Sequence, residues 1–187
     1  MAQNKLILSV AAGIKICSIE NWLGQVTAIV RVMPNMPALI QAGASALYAN
    51  SATLDKQKNA AETIMRSVGV ATWLDSEEQM DAVTALSGSG PAYFFYFMEL
   101  MESHAIEMGL NKEDAKLLTI ETALGAAKMA LLSSFDLKTL RKQVTSTGGT
   151  TEKALNIFMK GKLDELVSNA MDAAKKRSIE LSKSFKD

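Results

Sequence analysis

A run of hydroxyl and glycine residues in the last third of the chain is the segment best suited to chemistry. Residues 143–155 read QVTSTGGTTEKAL, so a glycine pair lies between hydroxyl side chains. Thr150 or Thr151 can cap a helix that begins at Glu152. Such a turn directs backbone N–H groups and hydroxyls to one point, where a small anion such as a carboxylate can bind. An ordinary helix cap after a glycine turn has the same composition, so both interpretations stay open.

Two further segments combine turn residues with possible ligand contacts. Residues 30–37 read VRVMPNMP and residues 85–93 read ALSGSGPAY. Met33, Pro34 and Asn35 follow a β-branched strand, and ligands of open α/β sheets gather where strands end. Met33 is equally suited to a core, and an asparagine between two prolines favours turn chemistry. The glycines of the second segment fit a tight corner between helices better than a phosphate site.

Taken together, the three segments resemble those of pyrroline-5-carboxylate reductases, in the same order and at similar spacing. That family reduces 1-pyrroline-5-carboxylate, a cyclic imine acid, to L-proline with NADPH or NADH. The resemblance implies that Thr151 is the catalytic hydrogen-bond donor to the ring nitrogen. It also implies a substrate-binding turn formed by Ser146, Thr147, Gly148, Gly149, Thr150 and Thr151. Cofactor contacts are implied for Met33, Pro34 and Asn35.

The sequence departs from the family pattern in two places. Relatives are expected to begin with a strand, a glycine-rich turn and a helix that hold the cofactor phosphates. These residues instead begin near what resembles a late strand, 5–11, and no G-x-G-x-x-G follows a strand in them. We therefore expect the C-terminal part of a reductase, with weak NADPH binding by these residues alone. Thr147 stands where many relatives have proline, which indicates a less rigid turn.

The composition excludes several classes of function. Lysine plus arginine and aspartate plus glutamate each total 20, so no overall field favours nucleic acid or an acidic membrane. Cys17 and His104 are the single cysteine and the single histidine, so neither an intrachain disulfide nor a zinc cluster is predicted, and no metal is expected. No apolar run approaches the roughly 18 residues that cross a bilayer. We expect a cytoplasmic protein that binds neither nucleic acid nor membrane.

The pattern of elements predicts two domains. Residues 1–75 are typical of the second half of a Rossmann-like doubly wound α/β domain, the partial nucleotide-binding domain. Residues 76–187 are helical throughout and form the predicted dimerisation and substrate-binding domain. The predicted strands are 5–11, 28–33, 44–49 and 70–74. The longest predicted helices are 54–67, 93–108, 112–132 and 163–184.

The helix predicted over residues 93–108 has more apolar surface than one buried stripe requires. It is either the centre of a bundle or part of a contact with another subunit. The resemblance implies both, since these reductases look like interlocked dimers. The sequence therefore predicts a homodimer or a higher homo-oligomer.

Three functions compete at this point. The first is the proline-forming reductase, and the second is a truncated, non-catalytic dimerisation module of such an enzyme. The third is a relative of the hydroxy-acid dehydrogenases, which would place a lysine in its catalytic helix; the three matched segments argue against it. Titration with NADPH would separate the first two.

Overall fold

The structure, a computed structural model, describes residues 5–184. Four strands alternate with short helices in the first part of the chain, and long helices follow. The strands are β1 Leu6–Ser9, β2 Ala28–Met33, β3 Gly43–Ala49 and β4 Gly69–Trp73. The helices are α1 Ile16–Leu23, α2 Asp55–Arg66, α3 Gln79–Val83, α4 Gly90–Glu107, α5 Lys112–Leu132, α6 Leu137–Gln143, α7 Thr150–Lys160 and α8 Leu163–Ser184.

The four strands form one mixed sheet in the order β1-β2-β3-β4. β1 and β2 are parallel, as are β3 and β4, whereas β2 and β3 are antiparallel, with Val30 opposite Ala49. The antiparallel pair follows from its short connection, which contains a 3₁₀ turn, Met36–Ile40, and no crossover helix. The predicted α/β layer is confirmed, but this pair distinguishes it from an all-parallel doubly wound sheet.

The hydrophobic core lies between this sheet and α2. It consists of residues that are almost inaccessible to solvent: Val30, Val32, Leu47, Ala61 and Met65. The three strand residues share one face because side chains alternate along a strand. Ala61 and Met65 are four residues apart and therefore lie on one face of α2.

A buried ion pair forms beside this core. Arg31 is 4% exposed on β2, and its Nη1 lies 3.0 Å from Glu77 Oε1. The same carboxylate oxygen accepts the N–H of Ile16, at the first turn of α1, at 2.8 Å. Glu77 therefore joins β2 to the start of α1, where a negative charge is also favoured by the helix dipole.

Several helices begin or end at residues that favour a helix terminus. Asn111 Oδ1 accepts the N–H of Asp114 at 2.9 Å to begin α5, and Asp136 Oδ1 accepts that of Thr139 at 2.7 Å to begin α6. Gly109, which ends the turn after α4, has a φ of +105°, a backbone conformation that favours glycine.

The chain divides into two compact units. The first extends to Pro91 and includes the residues from Asn169 onward; the second is Ala92–Ser168. The end of α8 thus belongs to the unit that contains the sheet, where Ser178 Oγ donates to Asp81 Oδ1 at 2.6 Å. The domain boundaries given by the sequence, 1–75 and 76–187, stay a prediction. Within the described residues, no helix is both long and apolar enough to cross a membrane.

Candidate functional site

The glycine segment between α6 and α7 folds into a tight turn. Gly149 N–H donates to the Ser146 carbonyl at 3.0 Å, so residues 146–149 close a four-residue β-turn. Gly148, the third residue, has a φ of +76°. This value and the closing hydrogen bond are typical of a type II turn, in which glycine is favoured third and proline second. The second residue here is Thr147.

The turn leaves many donors without a partner in the protein. The hydroxyls of Ser146, Thr147, Thr150 and Thr151 take part in no hydrogen bond among residues 5–184. The N–H groups of Thr150, Thr151 and Glu152 are in the first turn of α7, where no carbonyl four residues earlier can accept them. Hydroxyls and N–H groups therefore surround one helix N-terminus, as anion binding requires.

The predicted helix cap is wrong in position. The N-cap of α7 is Gly149, which has no side chain for capping, and the helix begins at Thr150 rather than at Glu152. Thr150 and Thr151 are the first two helical residues, so their side chains are not used as caps. The physical reason is the turn itself, because its closing hydrogen bond ends at Gly149 and the helix follows directly. Two hydroxyls assigned to capping thereby remain available to a ligand.

A groove of about 920 Å³ lies beside this turn. It is lined by two cationic side chains, Arg141 and Lys142, and by two acidic ones, Glu152 and Asp164. The opposite charges offset each other, so attraction of an anion depends mainly on the N–H groups and hydroxyls of the turn. The groove is also much larger than a five-membered ring, so its size alone does not select such a ligand.

The second set of predicted residues lies at the end of β2. Met33, Pro34 and Asn35 are all half-buried. Asn35 uses both ends of its amide within the protein: Oδ1 accepts the N–H of Ala44 at 2.9 Å, and Nδ2 donates to the carbonyl of Ser87 at 3.1 Å. The sequence favoured a structural function for Asn35 in a turn over direct ligand binding, and these two hydrogen bonds agree with that interpretation.

The partner of Asn35 lies in a π-helical turn, Thr84–Gly88, between α3 and α4. In an α-helix the Ser87 carbonyl would accept the N–H of residue 91, but that residue is Pro91, which has none. Asn35 supplies the missing donor. A Cβ at Gly88 would lie 2.6 Å from Met33 Cε, so a side chain at this position would displace the end of the Met33 side chain. The structure therefore joins Met33 and Asn35 to the segment that the sequence interpreted as a corner.

Two contacts of these sites were not found by sequence reasoning. One is Asn35 to Ser87, which spans 52 residues; the proline four positions after Ser87 was the available signal. The other is Glu152, whose Oε2 accepts the N–H of Gly148 at 2.8 Å. A glutamate in the third position of a helix was the signal there, because this position often accepts N–H groups that precede the helix. Across the described part of the chain, no group of three or more His, Cys, Asp or Glu side chains could hold a metal ion.

Comparison with known proteins identifies the family. Residues 77–181 match the family model described as pyrroline-5-carboxylate reductase dimerisation. A pyrroline-5-carboxylate reductase from Pseudomonas aeruginosa is 51% identical over 177 residues, which cover 95% of this chain and 65% of that protein. The enzyme of the same name from Vibrio alginolyticus is 43% identical, over 97% of this chain and 67% of the relative.

Solved structures agree with the sequence comparison. A pyrroline-5-carboxylate reductase from Coxiella burnetii superposes with a TM-score of 0.91 at 49% identity, over 95% of this chain and 66% of that one. A Plasmodium falciparum pyrroline carboxylate reductase with NADP bound gives a TM-score of 0.88 at 31% identity, over 95% and 71%.

The chain belongs to the pyrroline-5-carboxylate reductase family. This confirms the resemblance inferred from the three sequence segments. The chain spans about 65% of the length of the Pseudomonas relative.

Proposed function

We propose that the protein is a pyrroline-5-carboxylate reductase, which reduces 1-pyrroline-5-carboxylate to L-proline with NADPH or NADH. The observation that carries the proposal is the turn before α7, whose hydroxyls and first-turn N–H groups have no acceptor in the described protein. It provides the donors that a small ring carboxylate requires, and membership of the family supplies the reaction.

The substrate carboxylate binds at the N-terminus of α7. The N–H groups of Thr150 and Thr151 donate to it, and the hydroxyls of Ser146 and Thr150 are the additional donors. Thr147 contributes to the turn through its backbone. Gly148 and Gly149 allow the ligand to approach the backbone, because neither has a side chain to block it. The partial positive charge of the helix N-terminus favours the anionic group.

Thr151 places its hydroxyl beside the ring nitrogen. Hydride addition to the carbon of the C=N bond leaves an electron pair on the ring nitrogen, which must gain a proton. A hydroxyl within hydrogen-bond distance donates to that nitrogen and orients the ring. The Thr151 hydroxyl has no other partner among residues 5–184, so binding substrate breaks no existing bond. Its position two residues into α7 fixes it relative to the carboxylate-binding N–H groups.

The nicotinamide cofactor supplies the hydride. Met33 and Pro34 are half-buried apolar residues at the end of β2, and such a surface fits the ring of a nicotinamide. Asn35 fits a supporting function better than direct contact, because both polar ends of its amide are already bonded. The residues thus suit the nicotinamide end of the cofactor, and the choice between NADPH and NADH belongs to groups elsewhere.

A homodimer is the proposed assembly. The family model that matches residues 77–181 is a dimerisation model, and α4 exposes aromatic side chains: Phe94, Phe95 and Tyr96. The proposed compartment is the cytoplasm, in agreement with the one free cysteine, Cys17.

Replacement of Thr151 by valine tests the proposed mechanism. Valine has the shape of threonine without the hydroxyl, so Thr151→Val removes one hydrogen bond and leaves the helix nearly intact. Loss of a hydrogen bond to a charged group costs about 1.5–3 kcal/mol, which corresponds to a fall in kcat of about ten- to a hundredfold. Steady-state reduction of 1-pyrroline-5-carboxylate with NADPH measures it.

Two controls accompany this variant. Thr151→Ser keeps a hydroxyl and is expected to retain most of the rate, and Thr139→Val removes a threonine hydroxyl in α6, outside the turn. If Thr151→Val kept full turnover, Thr151 would not be the donor.

A further inference from the structure

The side chain of Glu152 braces the turn before α7. Glu152 is the third residue of α7, and its Oε2 accepts the N–H of Gly148 at 2.8 Å. In a capping box the third residue accepts the N–H of the N-cap. Here the N-cap is Gly149, whose N–H is already bonded to the Ser146 carbonyl, so the carboxylate reaches one residue further back.

The turn depends on this bond because its backbone offers little rigidity. Two adjacent glycines have more accessible backbone conformations than any other pair, and Gly148 must be held at a φ of +76°. One exposed backbone hydrogen bond, Gly149 to Ser146, closes the turn. Bonds to a carboxylate are stronger than bonds between neutral groups, so Glu152 makes a large contribution to the shape of the turn.

Residue 147 offers a second way to restrict the turn. Thr147 is the second residue of the turn, where the fixed φ of proline stabilises the type II shape. Its N–H has no acceptor within residues 5–184, so proline would remove no hydrogen bond. Ser146, the residue before it, is outside any helix, as a residue before proline prefers to be. A proline at 147 and a carboxylate at 152 therefore restrict the same turn by different means.

We propose that Glu152 is a positioning residue for the substrate. It accepts the hydrogen bond of the Gly148 N–H and thereby holds the turn in the shape in which the donors of Thr150 and Thr151 bind the substrate carboxylate. The inference rests on the proposed function, since it requires a carboxylate ligand at this turn. It assigns to Glu152 no contact with the substrate and no step of the reaction.

Three variants of the full chain test the proposal. Glu152→Ala removes the acceptor, Glu152→Gln keeps a neutral one, and the double variant Glu152→Ala with Thr147→Pro restores rigidity by another route. L-proline is the ligand for calorimetric titration, and amide hydrogen exchange at Gly148 reports the bond directly. Circular dichroism confirms that each variant is folded.

The alanine variant is expected to exchange the Gly148 amide faster and to bind L-proline about tenfold more weakly, the effect of one lost hydrogen bond. In steady-state assays KM is expected to rise by a similar factor with kcat nearly unchanged, because Thr151 remains. The glutamine variant keeps affinity close to that of the parent, and proline at 147 recovers most of the affinity lost by alanine.

Several results would overturn the inference. Unchanged exchange at Gly148 in the alanine variant would show that the bond does not hold the turn, and unchanged or tighter L-proline binding would show that it does not position the donors. The inference would also fail if Glu152→Gln bound L-proline as weakly as Glu152→Ala. It would fail likewise if the double variant with Thr147→Pro recovered none of the lost affinity. If instead Thr151→Val kept full turnover, the proposed function of the turn would fail whatever Glu152 does.

Discussion

The two compact units bury their residues very differently. In the unit that contains the sheet, Ile29, Val30, Leu47 and Met80 are all 0% exposed. In Ala92–Ser168 the buried residues are Ala115 and Thr119. The second unit instead exposes large apolar side chains along its helices, among them Phe94 at 70% and Leu132 at 85%.

This contrast separates two sources of stability. A sheet covered by a helix can remove its apolar residues from water within one chain. Long helices that are apolar on several faces cannot, and they require a second apolar surface. The first unit is therefore expected to be stabilised by its own core, and the second by association with another copy of the chain.

The largest expected effect is on assembly. The double variant Phe94→Glu, Tyr96→Glu places charges at two exposed aromatic positions of α4, and a symmetric interface meets each change twice. We expect the dimer dissociation constant to rise by about a thousandfold or more, since loss of one important interface residue costs about 2–4 kcal/mol. Light scattering across a dilution series measures it.

The matched control is Val26→Glu, which adds a charge at an exposed apolar residue outside the residues matched to dimerisation. It is expected to leave the mass unchanged. A dimer that survived the double variant at high dilution would contradict the contrast between the units.

The next effect tests the core of the first unit. Leu47→Ala removes a side chain that is 0% exposed and is expected to lower the free energy of unfolding by about 2–5 kcal/mol, because a cavity remains. Leu39→Ala, at a leucine that is 82% exposed, is expected to change it by less than about 0.5 kcal/mol. Urea denaturation gives both values; equal effects would show that this core does not determine stability.

A smaller effect is expected where β2 meets the π-helical turn. Asn35→Ala leaves the Ser87 carbonyl and the Ala44 N–H without their half-buried partner. We expect a loss of about 1–2 kcal/mol in the free energy of unfolding, together with a higher KM for NADPH. Asn59→Ala is the control, because Asn59 lies exposed on α2. If the two variants were equally stable, the hydrogen bonds of Asn35 would not stabilise the contact between the end of β2 and the π-helical turn.

The smallest effect is a pH dependence within the first unit. Hydrogen bonds from Trp73 and then Arg66 lower the pKa of Glu62 from its ordinary value. A lowered pKa in the folded state stabilises the fold above the ordinary glutamate range, and this contribution is lost as the pH falls through the lowered value. In a Trp22→Phe variant, the fluorescence of Trp73 is therefore expected to change below the ordinary glutamate range. Glu62→Gln is expected to abolish that transition.

Local elements were predictable because their signals are local. The strand Ala28–Met33 and the helices Lys112–Leu132 and Leu163–Ser184 have the predicted bounds. β-Branched residues mark the first, and a capping asparagine marks the second. The start of α7 was placed two residues late, because the sequence shows which residues can cap but not which hydrogen bond closes the preceding turn.

Contacts between distant residues were not predictable in the same way. The sequence indicated Met33, Pro34 and Asn35 as one group, but Asn35 has a partner 52 residues away and Arg31 has one 46 residues away. Many polar residues along the chain could satisfy such groups. Only the packing of β2 against the segment after β4 selects one.

The sequence by itself determined the family, the helices and strands, and the hydroxyl-rich turn, because each depends on neighbouring residues or on short motifs. The tertiary structure decided that β2 and β3 are antiparallel and that Asn35 supplies the donor that Pro91 lacks. It also decided that the end of α8 joins the unit that contains the sheet, through the bond from Ser178 to Asp81. These features depend on which distant surfaces bury each other, and burial is a property of the whole fold.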